Sequence, residues 1–65
     1  MDSDEAYRTM MIAFKSGDHE TAREIAVQLR AWIDRGGFYP AVHTETTIDH
    51  SIRHVMDRTL HLEYA

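Results

Sequence analysis

YRTMMIAFKSGDHETAREIAVQLRAWI, from Tyr7 to Ile33, reads as two amphipathic helices folded back on each other about Ser16-Gly17-Asp18. In the first half Tyr7, Met10, Met11 and Phe14 recur at i, i+3, i+4 and i+7, the spacing that gathers side chains on one side of a 3.6-residue helix. In the second half Ala22, Ile25, Ala26, Leu29, Trp32 and Ile33 make a longer stripe over three turns. Gly17 suits the left-handed residue that ends a helix, and Asp18 suits the N-cap of the next. So short a connection makes the two helices antiparallel, with their stripes facing each other.

Outward from this hairpin, the first helix is expected over residues 4–15, capped by Asp2 or Ser3. Asp4 and Glu5 stand at its positive end, Lys15 at its negative end, and Asp4 and Arg8 are spaced for an i,i+4 pair. Ile12 projects roughly 140° from Tyr7 on an ideal helix. It is expected to lie under the third helix, the alternative being a contact with another chain. The second helix is expected over residues 19–35, with Glu20 and Glu24 early and Arg30 and Arg35 late. Val27 and Ala31 form a small apolar pair away from its main stripe.

Gly17-Asp18 followed by Ala22, with small and large residues alternating on either side, resembles the helix-turn-helix unit of tetratricopeptide repeats over roughly residues 6–34. The chain holds one such unit, and has Ala6 where the repeat often has an aromatic residue and Asp34 where it often has proline. The resemblance implies binding of a protein or peptide.

Gly36-Gly37 ends the second helix, with Gly36 as its left-handed cap, and Pro40 stops the helix from resuming. Phe38, Tyr39 and Val42 are expected to fold over the end of the core. A phosphate loop is rejected here, because the glycines follow a helix C-terminus whose carbonyls repel anions. The third helix is expected to begin at Thr46 or Thr47, with Thr46 and Asp49 as a capping signal, and to run over about residues 47–63. Its inward face is Ile48, Ile52, Val55, Met56, Thr59 and Leu62, and Asp49–Arg53 is a candidate i,i+4 pair. The fold expected is all-α, a three-helix domain in which the C-terminal helix closes the hairpin. Its core is Tyr7, Met10, Phe14, Ile25, Leu29, Trp32, Ile52 and Val55.

Sixty-five residues make one domain. A chain this short buries about 60% of the surface its unfolded form exposes, and with no cysteine it has no disulfide to add. Packed helices or a partner chain must supply the rest, which favours a homo-oligomer. Eleven acidic against seven basic residues give a net charge of −4, a poor match to nucleic acid or anionic membrane. The longest apolar run, Met10 to Phe14, is far below a membrane span of about 20 residues. The acidic start, Met1 to Glu5, lacks the pattern of a signal peptide, so a cytoplasmic setting is expected.

One constellation carries chemical content. His50, His54, Asp57 and His61 fall at i, i+4, i+7 and i+11 of the third helix, within an arc of roughly 60°. Neutral imidazoles one turn apart can reach a common zinc, nickel or copper ion, and a carboxylate is an acceptable further ligand. The same line can act as a proton switch. Against both, the stripe lies opposite Ile48, Ile52 and Val55, where it is expected to be the most solvated line of the helix. Ser51 sits about 100° around from His50 with no strained turn to present it, so it is no nucleophile. No paired carboxylates flank an apolar pocket, and three short helices leave little room for a cleft of ~300 Å3 or more.

A helix-turn-helix DNA reader is disfavoured as well, since the short turn joins helices whose packing hides the second one's stripe. The third helix also balances Arg53 and Arg58 against Asp49, Asp57 and Glu63. The expectation is therefore a non-enzymatic protein-interaction or homo-oligomerisation module. Ile12, Val27, Tyr39 and Tyr64 are the candidate partner contacts, and no cofactor or small-molecule substrate is expected. The alternative is a histidine-dependent metal or pH sensor on the third helix.

Overall fold

The structure, a computed structural model, describes residues 1–63. Three helices follow in order, α1 (Ser3–Lys15), α2 (His19–Asp34) and α3 (Glu45–Arg58), and a 3-10 turn, η1 (Leu60–Glu63), ends the described chain. The all-α, three-helix architecture is as expected. α2 is the central element, packed along α1 on one side and α3 on the other.

The caps explain why the first two helices stop where they do. At the end of α1 the Gly17 N–H donates to Phe14 O at 3.3 Å and the Asp18 N–H to Ala13 O at 2.9 Å. At the end of α2 the Gly36 N–H donates to Ile33 O and the Gly37 N–H to Trp32 O, both at 2.9 Å. Each is a Schellman turn, which satisfies carbonyls the helix leaves free and puts its C′ residue at positive φ. Gly17 and Gly36 hold φ of 87° and 90°. Gly17→Ala is therefore expected to cost about 1–2 kcal/mol although a methyl group there would meet open space. A urea titration checks this; no change would mean that the turn relaxes. N-caps act at the other ends, where Asp2 accepts from the Glu5 N–H and Asp18 from the Thr21 N–H.

Tyr7, Met10 and Ala13 of α1, Ala22, Ala26, Leu29 and Ile33 of α2, and Ile48, Ile52 and Val55 of α3 form the core. Ala22 and Ala26 are fully buried, so their small side chains allow α1 close to α2. Phe14, Ile25 and Trp32, placed in the core from sequence, pack against it half-buried. α1 also reaches α3 through longer side chains: the Tyr7 hydroxyl donates to Ser51 Oγ at 2.8 Å.

Several expectations for the second half of the chain are corrected. α3 begins two residues early because Thr44, rather than Thr46 or Thr47, is the N-cap; its hydroxyl oxygen accepts from the Thr47 N–H at 3.2 Å. It ends at Arg58 rather than near residue 63. There the buried Thr59 hydroxyl donates to Val55 O at 2.7 Å, and the Arg23 guanidinium from α2 donates to Met56 O at 3.0 Å. These contacts occupy carbonyls at the helix end and let the chain tighten into η1.

Asp49 turns to Arg30 and Tyr39 rather than to Arg53. Asp4 accepts from the Ala41 N–H rather than serving Arg8, and so ties the 35–44 connection to the start of α1. Pro40 is fully buried in that connection, whereas Phe38 and Val42 are exposed instead of covering the core. Ile12, expected beneath the third helix, is 69% exposed, because α3 packs along the Tyr7 and Phe14 side of α1 and leaves the opposite side open.

Candidate functional site

Two surfaces carry groups that the fold itself does not use up. The first is a file of aromatic and imidazole rings along the α1–α3 seam. His50 and His54, one turn apart on α3, stack with centroids 6.4 Å apart and planes 19° from parallel. The His54 ring meets Phe14 of α1 edge-on at 5.6 Å, and Phe14 stacks on His19 of α2 at 5.3 Å. His19 in turn meets His61 of η1 at 6.1 Å. Four of the five histidines, from α2, α3 and η1, thus join one file of contacts through Phe14 of α1, while His43 packs edge-on to Tyr7 at 5.9 Å.

This differs from the stripe expected on a single helix. The chain leaves α-helical geometry after Arg58, so His61 turns toward His19 and away from the His50–His54–Asp57 line. His50, His54 and Asp57 are exposed, as the helical period requires, and so is His61 in η1, but His54 rests on α1 and is no free-standing surface side chain. Among the described residues no group of three or more histidines or carboxylates is arranged to hold an ion.

The second surface is the connection after α2. Here the C3 residue of the Schellman turn is Trp32 and the C″ residue is Gly37, the pair whose contact usually closes such a cap. The indole lies directly on Gly37, where even one added carbon would overlap it, and its Nε1–H donates to Phe38 O at 2.9 Å. With Gly37 in the place where an apolar side chain would tuck in, Phe38 is turned out to 83% exposure on a fixed backbone. Sequence reasoning missed Phe38 as a surface group. The usable signal was the second glycine, which takes the capping contact with Trp32 and leaves Phe38 outside the core.

Of the three candidate partner contacts among the described residues, Ile12 is the most exposed, and Val27 is 44% exposed beside a shallow hollow it shares with Arg23 and Leu62. Tyr39 is already engaged: its hydroxyl donates to both Asp49 oxygens, at 3.0 and 3.1 Å. Tyr64 lies outside the described residues.

Between α2 and α3 runs an open groove of about 530 Å3 bordered by Arg30, Asp49, His50, Arg53, Met56 and Asp57, larger than the expected room. Two of its charges, Arg30 and Asp49, are matched. Arg30 pairs with Asp34 at 3.0 Å and with Asp49 at 3.1 Å. Burial pulls the Arg30 guanidinium down, but hydrogen bonds to Asp49, Asp34 and Tyr39 outweigh it and leave it above its ordinary value. The bond to Asp49 raises the Tyr39 phenol, partial burial adds to this, and Arg30 opposes it.

A phenol with a raised folded value holds its proton more tightly when native. Its contribution to stability is complete below the unfolded value, near pH 10, and is lost as pH rises through the folded one. Urea midpoints between about pH 9 and 11 are expected to fall more steeply for the native chain than for Tyr39→Phe. Parallel curves would show that the Asp49 bond is not kept in solution.

Among the described residues no helix is long and apolar enough to cross a membrane. Comparison with protein-family models, with curated proteins and with solved structures finds no match for this chain.

Proposed function

We propose that this chain is a non-enzymatic interaction module that associates with itself or with another protein through apolar side chains held on its surface. The observation that carries this reading is Phe38, 83% exposed on a backbone pinned by the Trp32 indole and followed by a buried proline. An aromatic ring whose backbone is already ordered loses little further freedom on docking, which is how an anchor contributes to affinity. Ile12 and Val27 offer further apolar area. The likeness of the hairpin to a tetratricopeptide unit points the same way. In the α2–α3 groove Arg30 and Asp49 are paired with each other, and the acidic net charge speaks against a nucleic-acid ligand. A cytoplasmic setting suits a chain free of cysteine.

Light scattering over a concentration series, with a chelator present, tests self-association. The mass is expected to rise with concentration for the native chain and to stay monomeric for Phe38→Ser. A strict monomer at high micromolar concentration removes self-association. If native and Phe38→Ser chains then capture the same host protein equally well, Phe38 is not the anchor.

A second reading, a histidine-dependent metal or pH sensor on α3, has a specific observation in its favour. His50 and His54 stand side by side, both exposed, with ring planes nearly parallel.

A further inference from the structure

We propose that His50 and His54 are half of a zinc site, and that the other half is the same pair on a second copy of this chain. The proposal rests on the metal-binding form of the second reading and names both its ion and its partner. Two histidines at i and i+4 of a regular helix present their ring nitrogens to one side, the spacing that helical zinc sites use. α3 is continuous from Glu45 to Arg58, so this spacing is held by backbone hydrogen bonds and not by a loop. Among the described residues neither ring donates to or accepts from another protein group, so their nitrogens are uncommitted. The two rings stand 6.4 Å apart centre to centre, so both turn toward each other to share an ion at a Zn–N distance of about 2.0–2.1 Å.

The site is incomplete within one chain. Zinc bound by nitrogen takes four ligands in a tetrahedron, and no third histidine or carboxylate joins this pair among the described residues. Asp57, the nearest in sequence on the same side, borders the α2–α3 groove as His50 does, but does not join the pair as a third ligand. A two-fold axis beside α3 brings a second identical pair and completes four imidazole ligands with no new residue type. Net charge alone opposes the pairing, and the ion reduces that opposition. Each copy carries −4 and repels the other, and a divalent cation held by neutral ligands offsets part of that repulsion at the contact.

His19 and His61 are the competing pair. They come from two different elements, their planes differ by 67°, and His19 is half-buried against Phe14. They serve as the control.

Sedimentation velocity of the full chain, with chelator or with zinc chloride, decides the matter. At a concentration where the chelated chain is monomeric, zinc is expected to double the mass at one ion per two chains, and magnesium, which prefers oxygen ligands, to leave it unchanged. His50→Ala and His54→Ala are each expected to abolish the doubling, and His61→Ala to preserve it. Both altered side chains are exposed, and far-UV circular dichroism verifies that the variants keep their helices. Zinc bound at one per chain with unchanged mass overturns the shared site but leaves a metal-binding reading standing. No zinc bound overturns both. A doubling that survives His54→Ala assigns the contact elsewhere and overturns the proposal.

Discussion

Leu29→Ala is expected to lower the urea midpoint by about a fifth or more. Leu29 is fully buried on α2, the helix that packs against both others, so its removal leaves a void at the centre of the molecule. Such truncations cost about 2–5 kcal/mol, because the lost transfer energy is joined by a cavity the neighbours only partly fill. At roughly 0.05–0.15 kcal/mol per residue, a domain of this length has about 3–10 kcal/mol in all. Far-UV circular dichroism and Trp32 fluorescence, followed together through a urea titration, measure the change and test whether both report one transition. An unaltered midpoint would contradict the burial of Leu29.

Gly37→Ala should be the most damaging of the glycine substitutions, and for a reason unlike that at Gly17 or Gly36. Those two hold positive φ with open space around them, so an added methyl group strains the backbone and nothing else. At Gly37 the methyl carbon would overlap the Trp32 indole at Cε2, Cδ2 and Nε1. The ring is large and hydrogen-bonded to Phe38 O, so it must leave its place as a unit. The cost of such overpacking is about 1–3 kcal/mol, and here the loss of the indole's hydrogen bond accompanies it. Stability should fall together with a red shift of Trp32 emission. Gly36→Ala should lower stability without that shift. If the two variants behave alike, the indole does not rest on Gly37.

The hairpin was legible because every local signal agrees. Period, turn glycine and capping aspartate all specify two helices meeting about Gly17, and each acts within a few residues of chain. The third helix was legible in type and face but not in its limits. Four residues in a row, Thr44-Glu45-Thr46-Thr47, include three able to cap, and local pattern alone does not rank them. Its end depends on Arg23, 33 residues from the carbonyl it reaches, and no local pattern carries that contact.

The same cause explains the misplaced ion pairs. Asp49–Arg53 and Asp4–Arg8 are correct i,i+4 spacings, yet both aspartates have distant partners that help to fold the connection over the helix ends. Of the candidate site, the histidine spacing on α3 could be read directly. Phe14 and His19 joined it only through the packing of α1 and α2. Phe38 was placed inside because one glycine was counted as the cap, where the second carries the contact with Trp32.

Phe14 reports on the whole arrangement, since its ring touches a residue of α2 and a residue of α3 at once. Nuclear Overhauser effects from the Phe14 ring protons in the native chain test the closed three-helix core directly. Cross-peaks to both the His19 and His54 rings are expected. Contact with His19 alone would mean that the third helix does not close on the hairpin, and contact with neither would contradict the hairpin itself.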